Sequence, residues 1–404
     1  MRVTQLLNQQ QFLSSLDDLQ STISQNLTQE GSGLAFTTPS QDPVAAGNVN
    51  TYDQALAQSQ QYTTNANSAQ TSLNTEDSTL TQVQTQLQSL RSLALEANSG
   101  TQSSGDLTAI AAQAAQIQSG LVALANTQDG NGNYLFGGFA TQTQPFTQPA
   151  TGASYQGDQG QQQIQIAAGQ TIAAGDSGDA VFQQIKTGNG TFAVAAGAAN
   201  TGTGIVGATT VSGTAYAGHT YAINFSSPTA YTITDTPPGG VATTTPVAPA
   251  TLTYASGQPI SYGGTQVTLT GTPAAGDSFT VSPSVNQSLF TTVQNLVSAI
   301  QTAAGSSSQI ALNNAVATGI NNLDQALDHT STVQANVGGR VNAITTQLSV
   351  ATSQQTQLQK SISSLQGLDY ASAITTLQSE NTTLSASMQA YTQTQGLTLF
   401  KYLQ

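Results

Sequence analysis

Residues 42–98 read DPVAAGNVNTYDQALAQSQQYTTNANSAQTSLNTEDSTLTQVQTQLQSLRSLALEAN, and this stretch decides the fold. Asp42 suits a helix N-cap and Pro43 the first helical position, where the missing N–H costs nothing. Ala66, Ala69, Leu73, Leu80, Val83, Leu87, Leu90, Ala94 and Ala97 then fall on one apolar stripe. Ser99-Gly100 marks the end. A helix of about 54 residues at ~1.5 Å per residue is on the order of 80 Å long. Bundles and coiled coils use such helices; globular domains rarely do.

Working outward, Asp106 reads as the cap of a third helix over 106–126, with Leu107, Ile110, Ala114, Ile117, Leu121 and Leu124 at 3-4 spacing. The short Gly100–Gly105 break predicts that it folds back on the long helix. Upstream, Leu6, Leu13 and Leu27 share one seven-residue series, and Leu16 and Ile23 share the series three residues on. That is an a/d seam, interrupted by Gln9 and Gln20. Gly31, Gly33 and Pro39 break it. Downstream, Val293, Leu296, Val297 and Ile300 predict a short helix. A long helical region follows through Leu323, Leu327, Val333, Val337, Val341, Ile344, Leu348, Leu358, Ile362 and Leu365, with a weak point at Gly338-Gly339 and a joint at Gly367. Tyr370, Ile374, Leu377, Leu384, Met388, Tyr391, Leu399, Tyr402 and Leu403 carry the final amphipathic segment.

Between the helical blocks, residues 145–287 are rich in Gly, Thr, Ala and Tyr. Period-two runs at Tyr221–Phe225, Gln266–Thr270 and Ser278–Val281 predict strands, separated by turn clusters at 237–240, 263–264 and 273–276. Residues 195–215 and 236–251 read equally as strand or as flexible low-complexity linker. The fold class is therefore α+β: a long antiparallel, coiled-coil-like helical bundle built from both chain ends with an inserted β-rich domain. The expected domains are 1–40 with 366–404, 41–144 with 288–365, and the insert 145–287.

Composition narrows the function. Of 404 residues, 6 are basic and 19 acidic, a net charge of −13, and only 6% are charged, against about 25% in an ordinary soluble protein. Six dispersed cations cannot form a basic stripe, which argues against nucleic acid and anionic lipid. No run of about 18 apolar residues predicts a membrane span, and the start lacks the apolar core of a cleavable signal. The chain has no Cys and two distant His, His219 and His329, so no disulfide, cysteine nucleophile or metal site is expected. Gly202-x-Gly204-x-x-Gly207 matches a dinucleotide fingerprint as text but neither follows a clear strand nor opens a helix, and reads as a β loop. Asp129-Gly130-Asn131-Gly132-Asn133 starts like a calcium loop but has Tyr134 and Ala140 at the sixth and twelfth positions; it reads as a tight turn. His329, near Asp324 and Asp328, reads as part of a solvated helical face. The Asn-x-Ser/Thr sites at Asn26, Asn189, Asn224, Asn286 and Asn381 read as chance. No catalytic constellation or cofactor site is expected, and the chain reads as a non-enzyme.

The terminal seams are too weak to stand alone. Residues 1–40 carry Arg2, Asp17, Asp18 and Glu30, a net of 1 − 3 = −2, and residues 370–404 carry Glu380 and Lys401, a net of zero. Nearly neutral ends can be crowded together, so the pattern predicts an assembling subunit whose helical ends share a core and whose β insert faces outward.

Several pieces resemble a known family. Gly31 and Gly33 followed by Pro39-Ser40-Gln41-Asp42-Pro43-Val44-Ala45-Ala46 are similar to a segment of the flagellar hook-associated protein 3 family, the hook–filament junction relatives of flagellin. So are Leu124-Ala125-Asn126, Gly132–Gly138 with Pro145-Phe146, Gly276–Phe279 through Leu289-Phe290, and the tail from Met388 to Leu403. The resemblance implies an extracellular flagellar subunit exported through the type III apparatus without a cleaved signal. It implies a ring of copies between the adjoining hook-associated protein and flagellin. A cytoplasmic export chaperone would hold the C-terminal segment. Assembly contacts are then expected at Leu6, Leu13, Leu16, Ile23, Leu27, Leu384, Met388, Tyr391, Leu399 and Leu403; packing within one chain is the other reading of the same residues. Flagellin itself, and a secreted adhesin or fibre protein, are the alternatives.

Overall fold

The computed structural model describes residues 2–147, 153–213, 216–245, 251–305 and 309–400. The helices are α1 (Arg2–Ser32), α2 (Pro43–Ala97), α3 (Ser104–Ala125), α4 (Gly178–Phe182), α5 (Leu289–Gly305), α6 (Gln309–Gln366) and α7 (Tyr370–Phe400). Long helices from both chain ends enclose a β-rich insert in the sequence, as the periodicity predicts. The chain divides into two compact units, Met1–Thr64 with Thr346–Gln404, and Asn65–Thr345.

In the larger unit every residue of the α2 stripe from Ala66 to Ala97 is buried. α6 runs antiparallel to α2 there: Gln70 donates to Thr345, Gln84 to Gln334, and Arg91 Nε to Asp324 Oδ1 at 2.8 Å. Gly338-Gly339 does not interrupt α6. Side-chain amides and hydroxyls join the helices where most proteins would use charges.

α3 departs from expectation in two ways. Its N-cap is Ser103, and Asp106 is the third residue of a capping box that bonds back to the Ser103 N–H. The Ser103 contacts hold the Asp106 carboxyl below its usual range. α3 packs closely on α5, because α3 is studded with Ala and lets a second backbone approach; Gln118 donates to Gln294 across this pair at 2.8 Å. By length and composition α3 is also apolar enough to cross a membrane, which corrects the sequence expectation. Its Leu107, Ile110, Ala114 and Leu121 are buried within the protein.

The strands are β1 (Phe146–Thr147), β2 (Ser154–Tyr155), β3 (Gln163–Ala167), β4 (Gln170–Ala173), β5 (Ile185–Lys186), β6 (Phe192–Ala196), β7 (Ile205–Val211), β8 (Thr220–Ser227), β9 (Ala230–Thr236), β10 (Thr243–Thr245), β11 (Leu252–Thr253), β12 (Pro259–Tyr262), β13 (Thr265–Thr270), β14 (Ser278–Pro283) and β15 (Asn286–Gln287). One sheet runs β10-β9-β8-β14-β6, with β11 also on β9; another runs β12-β13-β7. Residues 205–211 are thus a strand, while 236–251 holds only the short β10 before residues 246–250, which lie outside the described residues. Alternating residues of both sheets, among them Phe192, Ile223, Phe225, Val267, Leu269 and Phe279, share one core. A second aromatic cluster of Phe136, Phe146, Phe182 and Phe290 closes the base of the insert.

Of the fingerprint-like glycines, Gly202 and Gly204 lie in the loop before β7 and Gly207 lies within β7. The N–H groups at the start of this loop are already taken: Asp277 accepts from Thr201 and Gly202, and from Ala274 beside them. A carboxylate of the chain therefore sits where a phosphate would have to bind. Asn314 of α6 reads the same loop, accepting from Val206 N at 3.0 Å and donating to Gly204 O at 2.9 Å. Asp129 forms the expected turn, accepting from the N–H groups of Asn131 and Asn133. His329 is not solvated: it is half-buried, and its Nε2 lies 2.8 Å from the Ala180 carbonyl of α4.

Candidate functional site

The smaller unit contains the terminal hairpin to which the sequence assigns assembly. Its corner is covalently short and hydrogen-bonded. α1 stops at Gly33, whose φ of +72° is left-handed and whose Cβ, if present, would lie 3.0 Å from the Tyr370 hydroxyl. Ala35 N donates to Gln366 O at 2.7 Å and Leu368 N to Gly33 O at 3.0 Å. Gly367 is the joint between α6 and α7; a Cβ there would press on the Ser363 carbonyl. Asp369 caps α7 by accepting from Ala371 N and Ser372 N. Asp42 caps α2 by accepting from Ala45 N at 2.9 Å. Phe36, Ala45 and Val49 pack with Ile362 and Leu365 beside this corner.

α1 and α7 run antiparallel. Asn26 donates to Glu380 at 2.6 Å, and Gln9 donates to the Tyr391 hydroxyl at 3.0 Å. The Phe12 and Tyr391 rings stack with centroids 5.1 Å apart. The least exposed residues of α1 are Phe12, Leu16, Leu19, Ile23, Asn26 and Glu30, and those of α7 are Ala373, Leu377, Glu380, Leu384, Ser387 and Tyr391. Both sets alternate four and three, the spacing of a two-helix seam.

The ten sequence-assigned residues therefore divide. Leu16, Ile23, Leu384 and Tyr391 face the partner helix. Leu6, Leu13 and Leu27 do not: they are 68%, 45% and 53% exposed, and Met388 is 56% exposed. The side chain of Leu399 and all of Leu403 lie outside the described residues. The expected seam is rotated by one residue because two seams compete for Leu16 and Ile23. One adds Leu6, Leu13 and Leu27 but buries Gln20; the other adds Phe12 and Leu19, and Gln9 is common to both. Leaving Gln20 in water and burying an aromatic ring wins. Phe12, Leu19 and Leu377 were thus missed or undervalued, although their own 4-3 spacing was present in the sequence.

The rotation leaves an apolar flank. Leu6, Leu13 and Leu27 follow by one position the seam series of Phe12, Leu19 and Asn26. Ile374 and Met388 follow by one the seam series of Ala373, Glu380 and Ser387. In an antiparallel pair, corresponding flanks lie on the same side, so these five side chains line one edge of the hairpin.

The family model for the bacterial flagellin N-terminal helical region matches residues 3–141. Flagellar hook-associated protein 3 of Salmonella typhimurium is 33% identical over 187 residues, which cover 46% of this chain and 58% of the relative. The Escherichia coli protein of the same name is 32% identical over the same extent. Over that extent the chain is similar to flagellar hook-associated protein 3. The match spans under two thirds of those curated relatives. The solved structures extend it: FlgL of Xanthomonas campestris is 28% identical with a TM-score of 0.70, covering 77% of this chain and 99% of that one. Hook-associated protein 3 of Legionella pneumophila is 27% identical with a TM-score of 0.71, covering 78% and 98%. The helical ends and β-rich insert of this chain are thus the fold of the hook-associated protein 3 structures.

Proposed function

We propose that this chain is a structural subunit of the bacterial flagellum that forms the ring joining the preceding hook-associated protein to the flagellin filament. The supporting observation is the hairpin made by the two chain ends, with its uncovered apolar flank, in a chain similar to hook-associated protein 3. In this reading Leu16, Ile23, Leu384 and Tyr391 hold the hairpin together. Leu6, Leu13, Leu27, Ile374 and Met388 meet neighbouring copies and the adjoining flagellar proteins, and Leu399 and Leu403 extend those contacts. The terminal domain 1–40 with 366–404 carries the assembly contacts, and the long-helix domain 41–144 with 288–365 and the insert 145–287 are the other two domains. The chain reaches the flagellum by type III export, its C-terminal segment held beforehand by a chaperone. It performs no catalysis and needs no cofactor.

The flagellin-type N-terminal match keeps a bulk filament subunit as the second reading. Deleting the gene distinguishes them. The junction role predicts hooks without filaments and flagellin lost to the medium. Filaments of normal length and number on the deleted strain would overturn it.

A further inference from the structure

Glu76 lies midway along α2 and is 1% exposed. Neither of its carboxyl oxygens makes a hydrogen bond of good geometry among the described residues, and the polar groups that approach it are the side chain and backbone of Asp176. Two charged groups act on it from the elements packed against it: Asp176, in the turn before α4, and Arg340, on α6. Arg340 pairs with Asp176 and also donates to the Ala173 carbonyl at 3.3 Å. The neighbouring carboxylate on its own helix, Asp77, is engaged by Gln334. Gly175 comes so close that a Cβ there would lie 3.7 Å from a Glu76 oxygen. Gly175 and Asp176 also wall a cavity of about 200 Å³ whose polar lining includes Asp129, Asn131 and Asn133. Three separate segments thus meet at one acid, beside a space that admits water.

The charge count is decisive. With Glu76 neutral, Asp176 and Arg340 balance. With Glu76 ionised, two negative charges face one positive charge at a buried position, which is costly without full pairing. We propose that Glu76, Asp176 and Arg340 form a proton-dependent latch: protonated Glu76 keeps the Ala173–Ser177 turn seated on α2 and α6, and its ionisation releases the turn into the adjoining cavity. Burial, and next the Asp176 charge, hold the Glu76 acid well above its ordinary range, with Arg340 opposing. The folded state therefore keeps this proton while the unfolded chain loses it. Stability from this group is full below the ordinary glutamate range and declines as pH rises towards the elevated native value.

The test is hydrogen exchange of the full chain, read peptide by peptide at several pH values and corrected for the intrinsic rate. Protection of the Ala173–Ser177 turn should fall about tenfold for each pH unit over which only the unfolded or open form has lost the proton. Glu76→Gln should keep the turn protected as pH rises above the ordinary glutamate range and remove the decline. Asp176→Asn should also remove it, because Arg340 is then free to pair with ionised Glu76. A wild-type turn whose corrected protection does not change with pH overturns the latch. So does either variant if it keeps the wild-type profile, and the two variants fail to fold for different reasons if they fail at all.

Discussion

Leu13→Asp is the most informative perturbation of the hairpin. Leu13 is on α1 but turned away from α7, and 45% of it remains exposed in the single chain. Fully burying a leucine contributes about 1.5–3 kcal/mol, so the exposed part still holds about 1 kcal/mol that only an intermolecular contact can recover. In the free chain the substitution should cost about 0.5 kcal/mol or less, as for other surface sites. In the assembled flagellum it loses that ~1 kcal/mol and adds a carboxylate in an apolar contact, worth several kcal/mol more. A total of about 4 kcal/mol weakens incorporation by roughly a thousandfold. The assay pairs a thermal melt of the purified chain with quantification of the protein in isolated flagella. The expected result is an unchanged melt and a near absence from flagella. Leu16→Asp is the control: it faces α7, so it should lower the melt of the terminal helices as well. Normal incorporation of Leu13→Asp, or a melt disturbed as much as by Leu16→Asp, would refute the division of the hairpin into a seam and a free flank.

Three further predictions concern the scaffold. Asn314→Ala leaves Val206 N and Gly204 O without their partner; a cost of about 1–3 kcal/mol per buried unpaired group should appear as a lower denaturant midpoint. Gly33→Val forces a branched residue into left-handed backbone beside Tyr370. It should cost on the order of 1–2 kcal/mol and speed proteolysis near residues 33–38, where Gly33→Asn should do so less. Phe12→Ala removes the ring stacked on Tyr391; a loss of about 1 kcal/mol of ring pairing and further buried area should reduce helicity by circular dichroism in the terminal segments.

How much of this was legible in the sequence differs element by element. The α2 stripe was read residue for residue, because Leu and Ala recur on one face with no rival alignment, and all of it is buried. The strands at Tyr221, Gln266 and Ser278 were legible from alternation, but their partners were not. β14 lies between β6 and β8, pairings set by long-range packing that local pattern does not encode. The α1 seam was half legible: Leu16 and Ile23 belong to two overlapping heptads, and the choice between them depended on where Gln20 and Phe12 would go. Ser103 was passed over as a cap because Asp106 is the more conspicuous acid. His329 was misread because its partner, the Ala180 carbonyl, comes from α4, 149 residues away. Glu76 carried no signal at all, since an acid inside a polar stretch of helix looks solvated until Asp176 and Arg340 are brought to it.

The central claim is a place in an assembly, so location tests it most directly. Antibody raised to residues 145–287 and followed by immunogold electron microscopy of intact flagella should label one narrow band where hook meets filament. Label along the whole filament would make the chain a filament subunit, and flagella without label would remove it from the flagellum altogether.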